Sequence, residues 1–176
     1  KTMLASQMLA HMADAGIRSV FFSLEQRAGS FYSRLACQVL DMPSVEVDDM
    51  IRAGDPMLAK VDEIYKNMYL VDNVPTSTSD AVEMTAPRIQ SIIQEINMTH
   101  FEEDSTDVVI IDHLGILEVG QDAPRDIRGS DVLAPGFIMQ ELFKVCKAVD
   151  VFMIVLQQLP KEVPPGMPYS YDAGRG

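Results

Sequence analysis

The sequence predicts an α/β fold, a mostly parallel sheet with helices on both faces. Three observations predict it. Short runs of Val, Ile, Phe and Met recur without polar alternation, which is the pattern of strands buried on both sides. Segments of helical period separate these runs. The runs also end in polar groups, at Glu25, Asp112 and the Gln157-Gln158 pair, and parallel sheets hold ligands outside the carboxyl ends of their strands.

Each element can be justified in turn. Residues 3–13 place Met3, Leu4, Met8, Leu9 and Met12 at helical spacing, and Gly16 suits a left-handed C-terminal cap. Ser19 to Leu24 is the first buried strand. A helix over about 28–40 follows, with Phe31, Leu35, Val39 and Leu40 on one side. Residues 41–66 read as short helices broken at Pro43, Gly54 and Pro56. Met68 to Asp72 is the second strand. Thr78 or Ser79 would cap a helix reaching about residue 97, with Pro87 kinking or splitting it. Val108 to Asp112 is the clearest strand, with four β-branched residues and a terminal carboxylate. Residues 118–134 have no period and read as a mobile loop; a helix over 136–149 and a strand over 151–156 follow. The tail from Pro160 reads as loop.

Composition narrows the function. With 176 residues, 47% of them hydrophobic, the chain reads as one globular domain over 1–176, and not as a disordered one. No run approaches the roughly 20 apolar residues of a membrane span. Cys37 and Cys146 are too few for a disulfide scaffold, so a reducing cytoplasmic setting is expected, with both thiols buried on helix faces. The net charge of −12 argues against indiscriminate binding of polyanions. Eight acids and no base lie between Glu95 and Asp122, whereas the stretch from Arg125 onward is balanced at six of each. A few local contacts to nucleic acid therefore remain compatible with the composition. His11 and His100 have no Cys or carboxylate at metal-ligand spacing, so no zinc site is expected. The 12 methionines read as core filler.

The chemistry gathers at the strand ends. Lys1-Thr2 opening a helix matches the last two residues of the phosphate-binding loop G-x-x-x-x-G-K-[ST], whose Lys reaches phosphates and whose hydroxyl binds Mg²⁺. Two residues alone carry little. Asp112, closing an apolar strand, has the form of a Walker B carboxylate on Mg²⁺, although a strand-end Asp also suits a cap on the next turn. Glu25 is placed to orient a water attacking a γ-phosphate, or simply to favour a helix dipole. Gln158 is placed to touch a γ-phosphate, or is an ordinary strand-end amide. His113 suits a γ-phosphate contact or a hydrogen-bonded structural histidine.

Taken in order, these residues resemble the RecA-like ATPase domain of DnaB-type replicative helicases. The resemblance rests on Phe22-Ser23-Leu24-Glu25, where the family has Ser-Leu-Glu, and on Arg52-Ala53-Gly54. It continues through Lys66-Asn67-Met68-Tyr69-Leu70-Val71-Asp72 and Val109-Ile110-Ile111-Asp112-His113-Leu114. Leu142-Phe143-Lys144, Val155-Leu156-Gln157-Gln158-Leu159 and Tyr171-Asp172-Ala173-Gly174-Arg175-Gly176 complete it. It implies a P-loop NTPase core that binds ATP and Mg²⁺. Lys1 would hold phosphate, Thr2 and Asp112 the metal, Glu25 the attacking water, and Gln158 would couple loss of the γ-phosphate to the loops. Arg125, Arg128, Lys161 and Arg175 fall where the family contacts single-stranded DNA. A hexamer when complete, with a primase or helicase loader as partner, is implied as well.

Departures shape the expectation. The strand before the phosphate loop and its glycines are missing, the family's arginine finger would lie beyond Gly176, and Pro160-Lys161 replaces the usual Asn-Arg. The sequence therefore reads as a truncated domain with little or no ATPase activity of its own. Its exposed strand edge would favour a homodimer or larger assembly. Two other classes stay open: a RadA- or KaiC-type recombinase or regulatory ATPase, and a non-catalytic RecA-like scaffold.

Overall fold

Four parallel strands form one sheet in the order β2-β1-β3-β4. The computed structural model describes residues 2–72, 83–101 and 104–157, without the side chain of Thr2. The strands are β1 (Ser19–Ser23), β2 (Met68–Asp72), β3 (Val108–Asp112) and β4 (Phe152–Leu156). The helices are α1 (Thr2–Asp14), α2 (Ala28–Leu40), α3 (Ser44–Ala53), α4 (Ala59–Ile64), α5 (Ala86–Thr99) and α6 (Ala134–Val149). All four expected strands form, and the sheet is parallel throughout.

Strand pleating divides the core in two. Val20 and Phe22 of β1 and Val109 and Ile111 of β3 point to one face, where Ile89, Ile93 and Ile96 of α5 and Ile138, Leu142 and Val145 of α6 cover them. Phe21 and Ile110 point to the other face, against α1, α2, Val47 of α3 and Val61 of α4. The central strands β1 and β3 are thus buried on both sides, which is why their sequences show no alternation.

Local structure corrects several expectations. The buried side of α1 is Ala5 and Leu9, with Met12 and Ala13 packed beside them, while Met3 and Leu4 are exposed. Small residues let α1 approach the sheet closely, and the larger apolar side chains of its first turn do not lie on that line. Helix α5 starts at Ala86: the Thr85 hydroxyl accepts from the Arg88 amide at 3.4 Å. Pro87 sits in the first turn, where its missing N–H has no helical partner to lose, so it starts the helix instead of kinking it. Thr78 and Ser79, the expected caps, lie outside the described residues, as does the tail from Pro160. Cys37 and Cys146 are half-buried, not fully buried, and partial burial pushes the Cys146 thiol pKa up.

Gly16 adopts φ +70° after α1, and the Ile17 amide donates to the Met12 carbonyl, the left-handed cap its sequence position suggests. Residues 118–133, expected to be a mobile loop, form a succession of hydrogen-bonded turns anchored by the buried Leu117 and Ala123.

Candidate functional site at the carboxyl edge of the sheet

The strand register brings Asp72, Ser23, Asp112 and Leu156 into one row at the carboxyl edge. Asp112 is central and only 3% exposed. The pairing continues one step beyond the strands, because the Leu24 amide donates to the Asp112 carbonyl at 3.0 Å. Glu25 follows directly, so the two carboxylates named from the sequence stand at the ends of neighbouring strands.

The turn that carries Glu25 is held on both sides. The Ser23 hydroxyl donates to the Gln26 carbonyl at 2.8 Å. The Ala28 amide, opening α2, donates to the Asp72 carboxylate at 2.6 Å. Glu25 itself is 45% exposed and points outward from this frame. Its carboxylate lies 3.8 Å from Nε2 of His113, the residue after Asp112. The Asp112–His113 peptide is cis, and His113 Nδ1 accepts from the Gly115 amide at 3.1 Å.

Helix α1 runs back over the sheet. Its carboxyl end leads through a short turn to the start of β1 while Ala5 and Leu9 pack against the sheet face. Its amino end therefore points toward the carboxyl edge, with no acidic residue in the first turn. A helix amino terminus there offers free N–H groups and a positive dipole end to an anion.

Beside His113 a cleft of about 410 Å³ opens between the turn after β3 and α6, lined by Gly115, Leu117, Asp131, Ile138 and Gln157 among others. Arg125 and Arg128 are exposed on the turns that follow β3. Lys1, Gln158, Lys161 and Arg175 lie outside the described residues, and of Thr2 only the backbone is described. The structure thus brings Glu25 and Asp112 together and adds two residues whose parts the sequence alone did not disclose, Asp72 and His113. Asp72 had a visible signal: Leu-Val-Asp72 closes its strand with a carboxylate as Ile-Ile-Asp112 does. Among the described residues no group of three or more His, Cys, Asp or Glu converges as a metal cage.

The model of the DnaB-like helicase C terminal domain matches residues 1–165. The chain belongs to that family. No curated protein matches it. Two solved structures share the fold of this DnaB-like domain. One is an isolated ATPase domain, which superposes with a TM-score of 0.66 at 20% identity, over 92% of this chain and 54% of that one. The second structure is of a DnaB-like replicative helicase and its interactions with primase. It gives a TM-score of 0.66 at 18% identity, over 96% of this chain and 39% of that one. The chain thus spans about half of the first relative's length and less of the second's.

Proposed function

We propose that this chain is the motor domain of a DnaB-type replicative helicase, which hydrolyses ATP to translocate on single-stranded DNA. The observation that carries the reading is the pairing of Glu25 and Asp112 on adjacent strands at the edge toward which α1 directs its amino end.

The donor set fits ATP with Mg²⁺. Magnesium is commonly held by one or two carboxylates plus substrate phosphates and water, not by an all-protein cage. Asp112 supplies one buried hard oxygen donor, and no larger carboxylate cluster forms among the described residues. Asp112 and Thr2 would hold the ion, which supplies charge neutralisation at the phosphates when bound. Lys1 and the amino end of α1 bind the phosphates. Phosphoryl transfer asks little covalent chemistry of a protein; positioning and electrostatics dominate. Glu25, half-exposed on a clamped turn, orients the attacking water and draws its proton. Gln158 senses the γ-phosphate.

Arg125, Arg128, Lys161 and Arg175 contact phosphates of the single strand, for which the exposure of the first two is the support. The working protein is a cytoplasmic homo-oligomer, a hexamer when complete, that engages a primase or helicase loader. No helix among the described residues is long and apolar enough to cross a membrane.

The test uses the full-length protein that carries this chain. Glu25→Gln should keep nucleotide binding and lower DNA-stimulated ATP turnover by about 10²- to 10⁴-fold, the range of a general base. Wild-type turnover in that variant would overturn the reading.

A further inference from the structure

We propose that His113 is a positioning residue for Glu25, holding its carboxylate through Nε2 while the other ring nitrogen is fixed by the backbone. This rests on the reading of Glu25 as the water-orienting base.

The ring has a determined orientation. Nδ1 accepts from the Gly115 amide at 3.1 Å, so the ring hydrogen belongs on Nε2, the nitrogen that faces Glu25 at 3.8 Å. That separation is an electrostatic contact and not yet a hydrogen bond. Contacts of this kind commonly tighten when substrate is bound. Glu25 is nearly half-exposed, while the His113 side chain is only 13% exposed. The histidine is the better-anchored member of the pair.

Gly115 supplies a second observation. A Cβ at this position would stand 2.9 Å from His113 Cε1 and 3.1 Å from Nδ1. The ring therefore rests where only a glycine leaves it room. The cleft lies beside it, lined by both His113 and Gly115, so a displaced ring has somewhere to go. Displacement would take Nε2 from Glu25 without unfolding the strand.

The test separates the two ring nitrogens in the full-length protein, measuring DNA-stimulated ATP turnover. His113→Asn keeps an acceptor for the Gly115 amide and loses the group facing Glu25. His113→Gln can carry an amide N–H toward Glu25. His113→Asn should lower kcat by about ten- to a hundredfold, as small misplacements of reacting groups do, with KM for ATP nearly unchanged. His113→Gln should recover most of that loss. Gly115→Ala should lower kcat like His113→Asn, yet cost nothing further in a His113→Ala background, because the two act as one unit.

Equal activity of the Asn and Gln variants would overturn the proposal, as would multiplying losses from Gly115→Ala and His113→Ala. A kcat loss that only tracks a lowered melting temperature overturns it too. A dead Glu25→Gln variant beside a fully active His113→Asn variant removes the histidine's role and leaves the Glu25 reading standing. Full turnover by Glu25→Gln removes both.

Discussion

The Asp72 carboxylate accepts the first amide of α2, at Ala28, across 44 residues of sequence. Helix α2 has no side-chain cap of its own at Arg27. The last residue of β2 therefore terminates a helix on a neighbouring element, and the turn bearing Glu25 is closed by that bond. Asp72→Ala should destabilise the fold by about 1 kcal/mol, the usual cost of a lost N-cap. Asp72→Asn should cost less, since it keeps an acceptor but gives up the charge favoured at a helix amino end. Urea unfolding of both variants checks the order.

The entry to β3 depends on Asn97 of α5. Its Oδ1 accepts from the Thr106 amide at 3.0 Å and from the Thr106 hydroxyl at 2.6 Å, and Thr106 is buried. Asn97→Ala would leave both donors without this acceptor, at a cost of about 1–3 kcal/mol. Asn97→Asp, which keeps the acceptor, should cost less. Chemical denaturation compares the pair.

Phe21 of β1 and Phe31 of α2 are both fully buried, with ring centroids 4.4 Å apart. Phe31→Ala should cost about 3–5 kcal/mol, and Phe31→Leu distinctly less because it leaves a smaller cavity. Thermal melts read both.

Tyr32 donates to Asp62 at 2.7 Å; partial burial, followed by that bond and the carboxylate's charge, pushes its pKa up to about 12. The folded state then keeps a proton that the unfolded state loses near the ordinary value of about 10. The contribution is full below pH 10 and is lost as pH rises from about 10 to about 12. Spectrophotometric titration should show one phenol ionising last, and Tyr32→Phe should remove that step and flatten the alkaline loss of stability.

Strand β4 is an outer strand of the described sheet, and Phe152 at its start is 66% exposed. We propose that this edge mediates self-association, since an unpaired apolar strand edge recruits other strands. Multi-angle light scattering should show an oligomer that Ile154→Pro weakens, because proline removes a backbone donor from the ladder. An oligomer equally tight in that variant would count against the edge.

Much of this architecture was legible because burial on both faces leaves an unmistakable run, as in Val109-Ile110-Ile111. Glu25 and Asp112 were legible because they end such runs. The start of α5 was not, since the sequence from Thr76 to Asp80 offers several capping residues and Pro87 is compatible with both a kink and a first turn. The buried side of α1 was misjudged because apolarity does not reveal which residues must be small. The parts played by Asp72 and His113 could not be read from the chain: one depends on which strand lies beside α2, the other on the direction of a ring.

The register Ser23↔Asp112 sorts the chain by tolerance to changes in length. Residues 41–67, between α2 and β2, can gain or lose a residue while the ladder between β1 and β3 stays as it is. One residue inserted between Ser19 and Glu25, or between Val108 and His113, would exchange the two cores' side chains and carry a carboxylate to the wrong side of the sheet. Two short stretches of fixed count thus hold the chemistry in place, and the remaining length of the chain is free to drift around them.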